Sequence, residues 1–188
     1  MTVKSSKPPA NGLVAIMRRV YNPIGFSKGY NFVLFVILFG AMMGFSLARF
    51  MYLDYDGIFC KPDEEGAAPG ECWSYRTETY RLIGIKLHLY TVMPGAFLAC
   101  LQFIPIIRHK VILFHRMNGY VVLVLNLAAT VGTFMIIRVS FGGGLDVQTA
   151  LGLLSVCFIG AMAIAIYNVK KLQLEQHRAW MLRAWAYV

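Results

Sequence analysis

Four long apolar runs limit what this chain can fold into more than any other feature. The runs cover about residues 31–53, 82–107, 117–139 and 149–169. The hydrocarbon core of a bilayer is about 30 Å thick, and an α-helix of about 20 apolar residues crosses it. Because each run reaches this length, the sequence predicts an all-α membrane protein, a bundle of four transmembrane helices.

A fifth apolar run at the carboxyl end is shorter. It opens at Ala179 and stops at Val188, which is about half of the length that a span needs. We therefore expect the start of a fifth helix. Either the chain is a fragment of a longer protein or its end lies along the membrane interface, and we favour the fragment. The second run contains Pro94 and Pro105, and proline bends or caps a helix.

The composition excludes several classes of protein. Hydrophobic residues make up 58% of the chain and charged residues only 14%, whereas soluble domains are about 25% charged. A soluble fold of 188 residues has too little interior to bury this much apolar surface. A nucleic-acid-binding domain, a disulfide-dense secreted module and a disordered chain are therefore poor interpretations.

The charged residues divide between the two sides of the predicted bundle. Residues 1–30 carry five basic residues and no acid, whereas the segment 54–81 holds seven of the nine acidic residues. The link after the second run and the tail after the fourth run are also basic. Because basic loops stay in the cytosol, the sequence predicts a cytosolic basic segment over 1–30, a transmembrane domain over 31–188 and an outer loop over 54–81.

The net charge of +9 is then explained by topology and by contact with anionic lipid headgroups, with no nucleic-acid partner. We expect an integral protein of the plasma membrane or an endomembrane, with its amino terminus in the cytosol. The sequence leaves open whether the chain forms an oligomer or has a partner subunit.

The four cysteines are of two kinds. Cys60 and Cys72 flank a loop rich in proline and glycine in the predicted outer segment, where an oxidising compartment permits a structural disulfide. Two free thiols in a mobile loop are the alternative. Cys100 and Cys157 lie within spans and are expected to act as small apolar residues. The spacing of paired ligands that a zinc site needs is absent from the sequence, and no metal site is predicted.

Small residues recur four positions apart in three of the predicted spans. The pairs are Gly40 and Gly44, Ala128 and Gly132, and Ala161 and Ala165. Such spacing lets helix backbones approach closely inside a bilayer, so it favours a packed bundle. Gly142–Gly144 is interpreted as a flexible connection between the third and fourth spans.

The histidines are the only residues that suggest chemistry. His115 opens the third span, His177 opens the fifth run, and His88 lies near the outer end of the second span. Neutral imidazole is a good axial ligand for haem iron, and helix bundles hold such sites between facing helices.

If a site exists, we expect it at the inner membrane level. The predicted topology puts His115 and His177 at that level, with Arg116 and Arg183 as contacts for a propionate, a phosphate or a lipid headgroup. His88 is expected about 30 Å away, where it serves a second, outer site or only donates a hydrogen bond within the bundle. In the alternative interpretation these side chains are headgroup anchors.

Three functions follow from these residues. The first is a binding or structural membrane bundle, because the sequence contains no nucleophile–base set and no paired carboxylates within a span, and therefore predicts no catalytic residue. The second is a transmembrane redox protein that holds haem b through His115, His177 and His88. A transporter is a weaker third, with a polar path limited to Arg49, Lys86, His88 and Gln102. The cofactor stays unknown, and haem b is the candidate.

Several short motifs in the second half of the chain occur together in a known family. They are a Leu-His-Leu context around His88, Gln102-Phe103 before a basic link, His115-Arg116-x-x-Gly119, and His177-Arg178-x-Trp180-Met181-x-Arg183. From about Ile85 to Val188 the chain resembles a domain-of-unknown-function family of multi-pass membrane proteins in bacteria and fungi, and it is most similar to fungal members. The resemblance implies an integral membrane protein and does not indicate a reaction. Family members continue beyond the second motif into a further membrane helix.

Overall fold

The structure, a computed structural model, describes residues 11–61 and 66–187. Some residues used in the charge argument, Lys4, Lys7, Asp63, Glu64 and Glu65, lie outside these ranges, as does Val188. The described ranges contain eight α-helices and no β-strand. The helices are α1 (Gly12–Ile24), α2 (Gly29–Arg49), α3 (Glu71–Thr77), α4 (Thr79–Gln102), α5 (Pro105–Lys110), α6 (Ile112–Ile136), α7 (Leu145–Lys170) and α8 (Leu174–Ala186).

The described residues form two compact units. The first unit comprises residues 11–48 and 96–122, and the second comprises 49–61, 66–95 and 123–187. Helices α1, α2 and α5 lie in the first unit apart from the last residue of α2, and α3, α7 and α8 lie in the second. Helices α4 and α6 each contribute residues to both units.

Within the described ranges, four helical segments are long and apolar enough to cross a membrane. They are Gly29–Leu53, Thr79–Gln102, Ile112–Ile136 and Leu145–Lys170. Large apolar side chains on these segments are exposed, including Leu38 at 65% and Leu153 at 62%. Lipid tails solvate such surfaces, and a helix satisfies its own backbone hydrogen bonds there. The predicted all-α membrane fold with four spans is therefore confirmed.

The second span is shorter at its carboxyl end than its apolar run suggests. Helix α4 ends at Gln102, Ile104 is extended (φ −75°, ψ 113°), and Pro105 begins the separate helix α5. A proline disfavours the helical conformation of the residue before it and suits the first position of a new helix. Pro105 therefore caps a new helix, whereas Pro94 lies inside α4.

The described part of the predicted outer loop, residues 54–61 and 66–78, is folded, and we call it the outer layer. A π-helical turn over Tyr55–Phe59 and helix α3 are joined by a disulfide between Cys60 and Cys72, whose Cα atoms are 5.5 Å apart. The structure thus contains the cysteine pair that the sequence predicts. Both cysteines are buried with Tyr75, Ile85, Leu89 and Ile136, so the disulfide lies in a core that also includes residues of α4 and α6.

The connection between α6 and α7 differs from the flexible glycine link that the sequence suggests. It is a tight turn in which Phe141, Gly142 and Gly143 have positive φ values of 50°, 83° and 66°. The buried Glu71 carboxylate accepts a hydrogen bond from the Phe141 N–H. Because this bond ties the turn to α3, the turn has a defined conformation.

Helices α7 and α8 form a helical hairpin. The turn between them is closed by Leu172, whose φ is 59°. Phe158, Ala161 and Met162 of α7 pack against Ala184 of α8. The short fifth run is therefore part of a helix that begins earlier than predicted, at Leu174.

Candidate ligand sites at the histidines

His88 is held by two groups of helix α6. Its Nδ1 atom lies 3.1 Å from the carbonyl oxygen of Ala129 and 3.0 Å from the Thr133 hydroxyl, which itself donates to the Ala129 carbonyl oxygen at 3.1 Å. A carbonyl oxygen only accepts hydrogen bonds, so the His88 Nδ1 donates. In neutral imidazole a protonated Nδ1 leaves the lone pair on Nε2.

Two glycines bring α4 close enough to α6 for this contact. A Cβ atom added to Gly132 would lie 2.7 Å from the Gly84 carbonyl oxygen and 2.7 Å from the His88 backbone nitrogen. No side chain fits there without moving a helix backbone. The small-residue spacing predicted for Ala128 and Gly132 therefore marks a true helix–helix contact, with Gly132 at its centre.

His177 has a similar arrangement at the start of α8. Its Nδ1 atom lies 2.9 Å from the carbonyl oxygen of Ala165 on α7, so this Nδ1 also donates and the neutral ring carries its lone pair on Nε2. Ala165 has 0% exposure and Ala161 has 2%. The small side chains of this predicted pair allow α8 to pack directly on α7.

His115 and Arg116 lie in the first unit, on the first turns of α6. The His115 ring is half-buried and Arg116 is exposed. Three residues after His115, the buried Asn118 amide donates to the Leu98 carbonyl oxygen of α4 at 2.9 Å. Because His115 and His177 belong to different units, their predicted shared site stays a prediction. The fourth histidine, His109, is exposed beside Arg108.

The motifs around these histidines lie in a region that matches a known protein family. A family model described as "Predicted membrane protein (DUF2306)" matches residues 85–188, which is more than half of the chain and includes His88, His115 and His177. The chain belongs to this family. The predicted resemblance to a membrane protein family of unknown function is thus confirmed.

A curated fungal protein is also similar to the chain. The "Ava biosynthesis cluster protein G" of Aspergillus versicolor is 26% identical over 179 residues, which cover 83% of this chain and 52% of that protein. The chain therefore spans about half the length of this relative. No solved structure matches the chain.

Within the family-matched region, Arg183 and Arg178 differ in their contacts. The Arg183 guanidinium carbon lies 4.6 Å from the centre of the Trp180 ring, whereas Arg178 donates to the Glu175 carboxylate at 3.0 Å. Both arginines are exposed. A cation on an aromatic face keeps its hydrogen-bond donors, so Arg183 can still bind an anionic group.

The sequence missed a charged cluster beside the disulfide. Asp56 accepts a hydrogen bond from Arg76 at 3.1 Å and lies 4.0 Å from the Lys86 ammonium. That ammonium also lies 4.7 Å from the centre of the buried Tyr55 ring. Burial raises the pKa of the Tyr55 hydroxyl above its ordinary value. Lys86, expected on a polar path through the membrane, is therefore partnered by the outer layer.

The described residues also bear on metal binding and on a polar path through the membrane. Among residues 11–61 and 66–187, no three His, Cys, Asp or Glu side chains lie close enough together to hold one metal ion. A transport path through Arg49, Lys86, His88 and Gln102 stays a prediction, although Arg49 donates to the Tyr52 hydroxyl at 2.8 Å. The histidine contacts are thus the most informative arrangement in the described chain.

Proposed function

We propose that this chain is a membrane-embedded binding bundle without catalytic machinery, and that it binds a molecule with an acidic group at His177 and Arg183. The observation that carries the proposal is the hydrogen bond from His177 Nδ1 to the Ala165 carbonyl oxygen. This bond satisfies Nδ1, fixes the orientation of the half-buried ring, and leaves the lone pair of the neutral ring on Nε2.

The two side chains suit different atoms of such a ligand. The His177 Nε2 accepts a hydrogen bond from a neutral acid or hydroxyl group, and it donates one when the ring is protonated. Arg183 presents a planar set of donors to a carboxylate or phosphate. Both residues lie on helix α8, about 9 Å apart along its axis, so a ligand that contacts both presents a different polar group to each.

Thermal unfolding of the purified chain in detergent tests this proposal. Phosphatidylglycerol and inorganic phosphate are the two probes, because they separate a lipid headgroup from a free anion. A ligand at about 100 times its dissociation constant stabilises the folded state by about 2.7 kcal/mol. We expect one probe to raise the unfolding temperature and phosphatidylcholine to have no effect.

Three variants assign the effect to the site. His177→Ala and Arg183→Gln should lose most of the ligand-dependent rise, whereas His109→Ala, which changes an exposed histidine elsewhere, should retain it. If all three variants respond like the wild type, or if neither probe stabilises the wild type, the binding proposal is wrong.

Haem b is the second candidate ligand, and a specific observation favours it. Both His88 and His177 donate from Nδ1 to a main-chain carbonyl oxygen, the partner that a metal-binding histidine commonly uses to orient its Nε2. When bound, haem b supplies one-electron transfer. His177 would be an axial ligand of a haem iron, with Arg183 as a contact for a propionate, and His115 is the candidate ligand of the first unit, with Arg116 beside it. His88, expected at the other membrane level, would be an axial ligand of a second haem.

An absorption spectrum of the purified chain distinguishes the two candidates. Haem b predicts a Soret band and α and β bands after reduction, in protein produced with an adequate haem supply. His88→Ala, His115→Ala and His177→Ala should reduce haem content, with His109→Ala unchanged. A wild-type chain without a Soret band rejects haem b and leaves the first candidate to the unfolding measurements.

A further inference from the structure

Helix α1 separates apolar from basic residues around its axis. Ile16, Val20 and Ile24 recur at four-residue spacing, and Met17 lies beside them. Arg18, Arg19 and Asn22 lie on the opposite side. This division is the pattern of a helix with one face in an apolar phase and one in water.

The apolar face of α1 is exposed in its unit. Ile16 is 62% exposed, Val20 51% and Met17 41%. The helix is nevertheless fixed at its carboxyl end, where Tyr21 is buried with its ring centre 6.1 Å from that of Phe32 on α2. The apolar face is therefore exposed on a helix whose carboxyl end is held against α2.

The first membrane-spanning segment begins soon after this helix ends. Helix α1 ends at Ile24 and the first membrane-spanning segment begins at Gly29. A chain of five residue steps reaches at most about 18 Å. Gly25, with a φ of 102°, ends α1 in the left-handed conformation. A helix tied this closely to a span can lie on the same membrane surface.

We propose that α1 lies in the headgroup region of the bilayer that α2 crosses, with Ile16, Met17 and Val20 in the acyl boundary and its basic face toward anionic lipid phosphates. Arg18, Arg19 and Lys28 supply positive charge, and residues 1–30 contain no acid. Basic residues near a membrane surface attract acidic lipids. This inference is independent of the proposed histidine site, since it concerns a different helix.

Spin labels on the two faces of α1 test the proposal in the whole chain. The labelled variants are Ile16→Cys on the apolar face and Ala15→Cys on the opposite side, each with Cys100→Ala and Cys157→Ala to remove the free thiols. The chain is reconstituted in phosphatidylcholine vesicles that contain one-quarter phosphatidylglycerol. We expect the label at position 16 to lie about 5–10 Å into the boundary, accessible to oxygen, and the label at position 15 to be accessible to an aqueous nickel chelate.

Two results would overturn the placement. Equal access of the nickel chelate to both labels means that α1 stands off the membrane. A label at position 16 that neither reagent reaches means that protein covers the face, either a second copy of this chain or a partner. Val20→Cys provides a second apolar position if Ile16→Cys does not fold.

The lipid charge is tested separately with Arg18→Gln and Arg19→Gln. Each change should lower the ratio of inserted to released helix by about fivefold in the vesicles with phosphatidylglycerol, with little change in pure phosphatidylcholine. Arg81→Gln, which removes a charge from another segment, is the matched control. If the α1 variants behave like this control in both vesicles, the proposed contact with anionic lipid is wrong.

Discussion

His177 of α8 donates a hydrogen bond to the carbonyl oxygen of Ala165 of α7 across 2.9 Å. His88 of α4 has the same relationship with Ala129 of α6 at 3.1 Å. Each histidine lies against an alanine of the neighbouring helix, and the small alanine side chain lets the ring reach the backbone. The two contacts join neighbouring helices and fix the tautomer of each ring, and these are the properties on which the proposed binding function rests.

Gly132 is predicted to be essential to the contact between α4 and α6. In Gly132→Ala the new methyl group would meet the backbones at Gly84 and His88, both at 2.7 Å. Backbone atoms move less easily than a side chain, so the helices must separate. We expect a loss of about 1–3 kcal/mol in the free energy of unfolding, measured by denaturation in mixed micelles.

Gly160→Ala is the control for this change. Gly160 also lies within a span, and a Cβ atom there meets nothing within 4 Å. Alanine favours a helix over glycine by about 0.5–1 kcal/mol, so the control should be neutral or slightly stabilising. Equal losses in the two variants would show that Gly132 does not mark a close helix contact.

The Cys60–Cys72 disulfide is predicted to stabilise the outer layer. It closes a loop with a sequence separation of 12 residues, for which chain entropy gives about 3 kcal/mol. Cys60→Ala with Cys72→Ala should lower the free energy of unfolding by about this amount. Intact-mass analysis after blocking of free thiols should show two thiols released from the wild type by a reductant.

Cys157→Ala provides the comparison for the disulfide, because Cys157 is a free, half-buried cysteine. It should change stability by much less than the double variant. A wild-type chain whose mass and thiol count do not respond to the reductant would exclude the disulfide in the purified protein.

The spans could be predicted from the sequence because apolar runs of this length have one stable form in lipid. Helix α1 was missed because Arg18 and Arg19 interrupt its apolar residues, although the four-residue spacing of Ile16 and Val20 was a usable signal. The end of α4 was placed too late because the apolar run continues beyond Gln102 to Ile107, whereas Pro105 begins a separate helix.

The polar contacts could not be predicted, because their partners are main-chain groups far along the sequence. Glu71 accepts a hydrogen bond from a backbone N–H 70 residues away, and a backbone group leaves no trace in the residue type. The sequence singled out His88, but its partner at Ala129 is likewise a carbonyl oxygen. The sequence therefore pointed to the histidines, whereas the tautomer of each ring could be assigned only from the structure.

Tyr75 is predicted to make stability depend on alkaline pH. Burial raises the pKa of its hydroxyl above the ordinary value of 10.0, so the folded state retains a proton that the unfolded state loses first. The stabilisation that comes from this proton is complete below pH 10.0 and is lost as the pH rises further. Unfolding temperatures in detergent should therefore fall more steeply above that pH for the wild type than for Tyr75→Phe.

Tyr120→Phe is the control for the alkaline measurement, because Tyr120 is 71% exposed. It should retain the wild-type slope. Tyr75→Phe also removes the contact with the Ser140 hydroxyl at 3.4 Å, so a constant offset in unfolding temperature is expected at every pH. A slope that is the same in all three proteins would reject the role of Tyr75.

Trp73 and Leu172 are predicted to lie on opposite sides of the membrane. Trp73 of α3 is 74% exposed, and Leu172 in the turn between α7 and α8 is 82% exposed. Three candidate spans, in α4, α6 and α7, separate these residues along the chain. An odd number of crossings puts them on opposite sides. Because the segments around Leu172 and near Arg108 and Arg116 are basic, we expect Leu172 in the cytosol and Trp73 outside it.

Single cysteines at these positions test the topology. Trp73→Cys and Leu172→Cys, each with Cys100→Ala and Cys157→Ala, are exposed to a maleimide that does not cross membranes, in intact cells or in sealed vesicles of known orientation. Trp73→Cys should react from the non-cytosolic side, and Leu172→Cys only from the cytosolic side. The reverse pattern would contradict the predicted orientation, and reaction of both from one side would contradict the three crossings between them.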